Sequence, residues 1–317
     1  LGVFCFDKKF LSRSDMSFNR FQFFLHSIEE LQKELRELGG DLIVLDDSPE
    51  KAFTNIFEWF EENNKYQVSL VSFNRDYEPF ASKRDDKMKR WFNKQKVDCI
   101  TERDHVLIEP WEVLKDDSDP QSSYQVYSPF ARKWLEVFQQ KDVQKRIQQQ
   151  ASGLTYLGKR DQGKDIDSLF DITWKDVLGN KAAKQDMLKN YVEDNGKKVT
   201  VPIPDAGSLA AFRQMKSYKS KLSDYSEKRD LPSEQGTSKF FLYLKNGSLT
   251  LAQIIKYYNL QPYKKKKTSA DKFLSELIWR EFYYSILYHN PHVETEAFQD
   301  KYNNLKWGNN KKWFEAW

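Results

Sequence analysis

The sequence is poor in the residues on which most metal and nucleophile sites depend. It holds two cysteines and four histidines in 317 residues. Cys5 and Cys99 lie in apolar runs without a partner at metal-ligand or CxxC spacing, so we expect two buried thiols in a reducing compartment. His289 and His292 are separated by a proline, and no further ligand is patterned nearby, so no metal site is expected. Histidines so dispersed also give no basis for a Ser/His/Asp triad.

Long hydrophobic runs and the common nucleotide motifs are missing too. No run of about 18 apolar residues occurs, so no membrane-spanning helix is expected, and no signal peptide is recognisable. Neither GxGxxG nor GxxxxGK[ST] occurs, which argues against the standard dinucleotide and triphosphate sites. The chain begins at Leu1 inside an apolar run and without methionine, so we expect an upstream segment to be absent.

The first hundred residues alternate between two periodicities. Four short apolar runs are typical of buried strands: Leu1–Phe6, Asp41–Asp46, Val68–Asn74 and Val97–Glu102. Three stretches with helical spacing lie between them: Phe18–Leu38, Ala52–Asn63 and Phe80–Lys96. Gly39 and Gly40 are a stop signal for the first of these helices. The order strand, helix, strand predicts an open parallel sheet with right-handed crossovers.

The rest of the chain divides into a connector and a helical half. "DDSDPQSS" (Asp116–Ser123) is rich in turn residues, and "QKDVQKRIQQQASG" is polar with poor periodicity, as in a long surface connection. Helical spacing resumes after Pro204. We therefore predict an α/β domain over residues 1–118, a connector over 119–203 and an all-helical domain over 204–317, since one core rarely serves more than about 250–300 residues.

Positive charge is concentrated in the helical half. Residues 204–317 contain 19 lysines and arginines against 12 acidic residues, whereas the whole chain carries only +4. Such a field favours a polyanionic partner such as nucleic acid. The run "KKKK" (Lys264–Lys267) is by itself more typical of a solvated loop, so charge alone does not decide between the two.

The stretch Tyr225–Thr250 contains a Gly-Thr-Ser sequence ahead of an apolar helical run. Thr237 and Ser238 would place two hydroxyls and free backbone N–H groups at a helix N-terminus, which suits phosphate oxygens. A plain helix cap needs no ligand and explains the same residues. The residues alone favour the cap.

The stretch "FLSELIWREFYYSILYHNP" places charged residues inside an apolar helix. On a helical wheel Phe273, Glu276, Arg280 and Tyr283 share one stripe, with Trp279 at its edge. One alternative is a structural ion pair between Glu276 and Arg280, worth about 0.3–0.5 kcal/mol if exposed, with the neighbouring acid at 281 a solvated flank. The pair accounts for the charges but not for the two aromatic residues on the same face.

Taken together, these motifs resemble the DNA photolyase and cryptochrome family, most closely the bacterial class I cyclobutane pyrimidine dimer photolyases. The signature helix of that family is similar to "ELIWREFY", and its phosphate-binding segment is similar to "YSEKRDLPSEQGTSKFFLYLKNGSLT". The first domain and the start of the connector resemble "FNRDYEPFASKRD" and "YQVYSPFARKW". The resemblance extends over nearly the whole chain. It lacks the family's first strand and its C-terminal part, so a fragment is expected.

The resemblance implies an α/β antenna domain followed by a helical domain that binds FAD, here incomplete. The residues that it implies for FAD are Tyr225, Thr237, Ser238, Lys239, Phe240, Phe241, Phe273, Glu276, Arg280 and Tyr283. In this context the Gly-Thr-Ser segment is expected to hold the FAD phosphates rather than to act as a plain cap. Lys239 and Phe241 depart from the Arg and Ser of the family motif, which removes a bidentate fork and a hydroxyl.

The implied activity is that of a deoxyribodipyrimidine photolyase, a carbon–carbon lyase acting on UV-damaged DNA. Glu276 would hydrogen-bond the damaged bases, Trp279 would stack on the flipped dimer, Tyr283 would line the same DNA-binding cavity, and Trp307 would belong to an electron relay. Excited reduced FAD would donate the electron that opens the cyclobutane ring. A cytoplasmic monomer without membrane contact is expected.

Two alternatives and an open question remain at this stage. The chain could be a cryptochrome-like flavin photoreceptor that signals without repair, or an inactive truncated member of the family. Phe80 and Ala81 stand where some relatives use an Asn-Glu pair for a folate antenna. These residues argue against folate and leave a deazaflavin antenna or no antenna open.

Overall fold

Two parallel strand pairs form the α/β half of the molecule. In this computed structural model, residues 1–7, 17–152, 172–189, 191–192 and 199–317 are described. Strand β1 (Gly2–Cys5) pairs with β2 (Leu42–Leu45), and β3 (Leu70–Asn74) pairs with β4 (Asp98–Glu102). Both pairs are parallel, as predicted, but within the described ranges no ladder joins them, so the expected single sheet is present as two separate pairs.

Each parallel pair is connected through helices. The helices of this half are α1 (Phe18–Glu37), α2 (Pro49–Glu62) and α3 (Pro79–Lys94). Proline opens α2 and α3, where its missing N–H costs nothing, and Gly39 follows α1 at φ 80°, a conformation that glycine adopts without strain. The predicted α/β fold class with a helical second half is confirmed.

The predicted connector contains two helices that belong to the core of the helical half. They are α4 (Tyr127–Phe138) and α5 (Lys141–Gln150). Phe130, Trp134 and Phe138 are buried in that core, and Val143 and Ile147 join them from α5. The interpretation of "QKDVQKRIQQQ" as irregular connection is therefore wrong, because two apolar residues four positions apart suffice to bury one face of a short helix.

Further along the predicted connector, two short helices pack on the first strand pair. They are α6 (Trp174–Leu178) and α7 (Ala182–Gln185), joined by a 3-10 turn. Trp174 is buried against β2 and α2, and its Nε1 donates to the Gly2 carbonyl oxygen at 2.8 Å. The boundaries at 118 and 203 stay a prediction.

The helical half is assembled around one long central helix. Its elements are α8 (Gly207–Tyr218), a 3-10 turn (Lys219–Asp224), α9 (Tyr225–Lys228), α10 (Phe241–Asn246), α11 (Leu251–Tyr258), α12 (Ser269–His289) and α13 (Lys311–Ala316). Thr268 and Asp271 form a capping box at the start of α12. Leu274 and Ile278 of this helix are fully buried and contribute to the largest hydrophobic core.

Two smaller predictions can be compared with the described residues. Cys5 and Cys99 are free but half-buried rather than buried, since each lies on a strand whose residues are only partly covered. Burial raises the pKa of the Cys5 thiol to about 12, so it stays protonated at neutral pH. Within the described ranges no helix is both long and apolar enough to cross a bilayer.

Candidate functional site

Glu276 on α12 is held by an arginine that precedes it by a long stretch of sequence. Arg229, directly after α9, places Nη1 2.6 Å from Glu276 Oε1, and both side chains remain partly exposed. The same guanidinium lies 5.2 Å from the ring centroid of Tyr225 and donates to its hydroxyl at 3.2 Å. The hydrogen bond to Glu276 raises the pKa of Arg229 despite partial burial. A carboxylate is thus fixed at the edge of the site by the residue that follows another helix.

Trp279, one helical turn further along, belongs to a stack of aromatic rings. Its indole lies 3.7 Å from the ring of Tyr127 with an angle of 4° between the planes. The Tyr127 hydroxyl donates to the Ser275 carbonyl oxygen at 3.0 Å, which fixes the ring against α12. Tyr283 lies 5.7 Å from the indole and is 63% exposed. The stack therefore runs from two half-buried rings, Tyr127 and Trp279, to an exposed one.

Arg280 takes a direction different from that of its neighbours. Its Nη1 donates to the His105 carbonyl oxygen, its Nη2 lies 3.4 Å from the Leu244 carbonyl oxygen, and the guanidinium lies 4.8 Å from the ring centroid of Tyr284. The alternative ion pair with Glu276 is not formed, because Glu276 is engaged by Arg229. A role of Arg280 towards flavin stays a prediction.

Glu281, unlike Glu276, is buried. The interpretation as a solvated flank is wrong, because the residue is only 2% exposed. Its two carboxylate oxygens accept hydrogen bonds from the Leu107 N–H, from the Ile108 N–H at 3.3 Å and from Trp134 Nε1 at 2.5 Å. Burial raises the pKa of this carboxyl to about 7, although the three donors oppose the rise.

The loop before α10 is shaped by a close approach of two backbones. A Cβ at Gly236 would lie 2.3 Å from the Lys228 carbonyl oxygen, so only glycine fits there. The Tyr218 hydroxyl donates to the Gly236 carbonyl oxygen at 2.8 Å. Helix α10 begins at Phe241 and its N-cap residue is Phe240, so neither Thr237 nor Ser238 is the N-cap as interpreted, although Ser238 Oγ accepts a hydrogen bond from the Phe240 N–H at 3.4 Å.

The same loop has the features of a phosphate-binding segment. Thr237 and Lys239 are exposed and Ser238 is half-buried, and Lys239 adopts a left-handed φ of 57°. Within the part of the chain that the structure describes, the backbone N–H groups of these three residues donate to no acceptor. Unpaired N–H groups beside two hydroxyls fit the phosphates of FAD. Phe241, which is 68% exposed, stands where the family has a serine.

Three other candidates pack together below this loop. Tyr225, Phe240 and Phe273 are all buried, and the Phe273 ring lies 5.1 Å from Tyr225 and 6.2 Å from Phe240. Their rings form an aromatic layer between the loop and α12. A cavity of about 570 Å³ opens at the start of α12, but none of the predicted site residues lines it. Its walls come from the residues around Lys219, Tyr257 and Thr268.

Trp307 is not brought together with the others. Its side chain is 75% exposed, and it makes no ring contact with any other residue in the described ranges. Its exposure agrees with a surface position. Its place in an electron relay stays a prediction.

Sequence reasoning missed the residues that hold this site together. Arg229 and Tyr127 both lie inside the quoted family motifs, yet nothing in their local pattern indicates a contact with α12. The segment "NRDYEP" (Asn74–Pro79) follows β3 and is tied to a buried acid, since Arg75 Nη2 and the Tyr77 hydroxyl both lie 2.9 Å from Glu109 Oε1. A wheel extended to Leu274 and Ile278 would have placed Glu281 on the buried face.

Comparison with known proteins matches both halves of this architecture. Residues 1–149 match the family model of DNA photolyase. Residues 273–317, which include most of α12, match the model of the FAD binding domain of DNA photolyase. The chain belongs to the DNA photolyase and cryptochrome family. The match to an FAD binding domain confirms the predicted cofactor, FAD.

Individual relatives include both branches of the family. A deoxyribodipyrimidine photo-lyase of Alkalihalophilus pseudofirmus is 25% identical over 93% of this chain and 55% of its own length. Cryptochrome-2 of Gallus gallus is 24% identical over 99% of this chain and 51% of its own length. The crystal structure of a bacterial class III photolyase from Agrobacterium tumefaciens superposes with a TM-score of 0.68 at 19% identity, over 100% of this chain and 59% of its own.

These comparisons bear on the fold more than on the activity. The structural likeness confirms the photolyase fold, while the chain spans between half and three fifths of the length of these relatives. Photolyases and cryptochromes both match, so the comparisons do not separate repair from signalling. The individual site residues and the photolyase class stay predictions.

Proposed function

We propose that the chain forms part of a light-dependent DNA repair enzyme that splits cyclobutane pyrimidine dimers. The observation that carries the proposal is the pairing of functions on α12, where a partly exposed carboxylate on Glu276 and the indole of Trp279 lie one helical turn apart. A carboxylate accepts hydrogen bonds from base N–H groups, and an indole stacks on either pyrimidine, with about 1–3 kcal/mol per stacked base. Photolyases as a class act on extruded nucleotides.

The residues of the chain would share the work in the following way. FAD, when bound in its reduced form, would supply on excitation the electron that opens the cyclobutane ring and would take that electron back once the ring is split. The N–H groups and hydroxyls of Thr237 and Ser238 would bind its phosphates. Arg229 holds Glu276 in place, so the carboxylate meets the lesion without reorganisation. Tyr127 covers one face of Trp279, and the exposed ring of Tyr283 lies 5.7 Å from the indole, so Tyr283 would have to move aside for a base to stack there.

A second candidate is a flavin photoreceptor without repair. The similarity to Cryptochrome-2 and the ring of Tyr127 on Trp279 favour it, because an indole already stacked inside the protein offers less surface to a base. Both candidates use FAD, and they differ in whether the excited flavin transfers an electron to a pyrimidine dimer. Dimer splitting separates them directly.

The deciding experiment illuminates the protein that contains this chain, with reduced FAD bound, in the presence of UV-irradiated oligothymidylate. Repair restores the absorbance of the thymine bases in the light and not in the dark. Trp279→Ala and Glu276→Gln are expected to slow restoration and to weaken binding of damaged DNA more than of intact DNA. Glu227→Gln, an exposed acid on α9, is the matched control and leaves both unchanged. Absence of any restoration with reduced flavin present would refute the repair proposal.

A further inference from the structure

The loop between α11 and α12 carries four consecutive lysines, Lys264–Lys267, which we call the tetralysine loop. All four residues are exposed. Within the described ranges none of their ammonium groups forms an ion pair with a carboxylate. Four like charges in sequence repel one another, so the loop carries a cost that an anionic partner would relieve.

The tetralysine loop lies beside the aromatic stack of the proposed site. Lys266 Nζ lies 5.4 Å from the ring centroid of Tyr127, and Tyr127 is the ring that stacks on Trp279. One aromatic ring therefore separates the lysine from the indole. A nucleic acid strand advances by about 3.4 Å per nucleotide, so a base at Trp279 has its neighbouring phosphates within reach of this loop.

We propose that the tetralysine loop binds the phosphates of the DNA strand that carries the lesion, next to the bases that meet Trp279. This inference rests on the proposed function and deepens it. Lysines act here as point charges on the backbone and not as readers of sequence, which suits a lesion that occurs in any context.

Salt dependence tests this proposal. The logarithm of the association constant for duplex DNA falls linearly with the logarithm of the salt concentration, with a slope of about 0.9 per neutralised phosphate. In the protein that contains this chain, the quadruple variant K264Q/K265Q/K266Q/K267Q is expected to lower that slope by about 2 to 4 for undamaged duplex. The matched control K83Q/K94Q/K175Q/K184Q removes the same charge from exposed positions outside the helical half and is expected to change the slope by less than about 1.

Each outcome separates this inference from the function on which it rests. Equal changes in both quadruple variants would mean that only net charge matters, which would overturn the loop proposal. Light-dependent restoration with an unchanged slope would leave the repair proposal standing and remove the loop. If the loop variant lowers the slope but the protein shows no preference for damaged DNA, the loop proposal stands and the repair proposal is removed. Circular dichroism establishes whether both quadruple variants fold. If the loop variant does not fold, the double variant K264Q/K265Q repeats the test, with about half the change in slope expected.

Discussion

Replacement of Glu281 by glutamine tests how the site helix is fastened to the rest of the molecule. The carboxyl is fully buried, and burial raises its pKa from 4.5 to about 7. A carboxyl with a higher pKa in the folded chain binds its proton more tightly when folded. Its contribution to stability is therefore complete below a pH of about 4.5 and is lost as the pH rises through about 7. The full loss corresponds to about 3 kcal/mol.

Glutamine keeps the shape of the side chain but does not titrate. In wild type, the N–H groups of Leu107 and Ile108 and Trp134 Nε1 all donate to carboxylate oxygens of Glu281. In the variant, the NH₂ of the amide replaces one of these oxygens and faces a donor. One unsatisfied donor costs about 1–3 kcal/mol at any pH. Wild type should therefore exceed Glu281→Gln in stability at pH 5, and the difference should shrink by about 2.5 kcal/mol at pH 8, because only wild type then buries a charge.

Urea denaturation at pH 5 and pH 8 measures this difference through the free energy of unfolding. Glu227→Gln serves as the control, since that side chain is exposed on α9 and its loss should give the same small effect at both pH values. If the difference between wild type and Glu281→Gln is the same at pH 5 and pH 8, the raised pKa and the buried contacts cannot both be right. A parallel pair of stability curves would thus refute the reasoning.

Two further changes test the packing around the site. Gly236→Ala should destabilise the protein by about 1–3 kcal/mol, because the new Cβ meets a backbone oxygen that cannot move aside. The measurement is a lower urea midpoint at unchanged slope, and an unchanged midpoint would mean that the loop adapts freely. Tyr127→Phe should cost about 1 kcal/mol through its lost hydrogen bond while the ring stack remains, and Tyr127→Ala should cost more; equal costs would remove the stack as a source of stability.

Local periodicity accounts for much of the fold and for little of the site. The strands and the helices α1, α2 and α3 agree with the prediction to within a few residues, because each carries apolar residues at the spacing of its own element. Helix α5 was missed, since only Val143 and Ile147 of its ten residues are buried and the remaining residues hide the pattern. Its stability comes from packing against α11, which a single stretch of sequence does not reveal.

The motif on α12 was located from sequence, but its internal arrangement was not. A wheel groups Glu276 with Arg280 and therefore favours a pair between them. In the structure Arg229 takes the carboxylate, and it comes from a segment 47 positions earlier in the chain. The pairing depends on how α9 packs against α12, so no rule on neighbouring residues could have chosen Arg229.

The two charged residues next to each other on α12 face one segment of the α/β half with opposite hydrogen-bonding roles. Arg280 donates to the carbonyl oxygen of His105, and Glu281 accepts from the N–H groups of Leu107 and Ile108. Because one segment receives both a donor and an acceptor, it can dock on α12 in only one register. The position of Trp279 relative to this segment is then fixed by bonds that span more than 170 residues, which is why an apolar helix carries these charges.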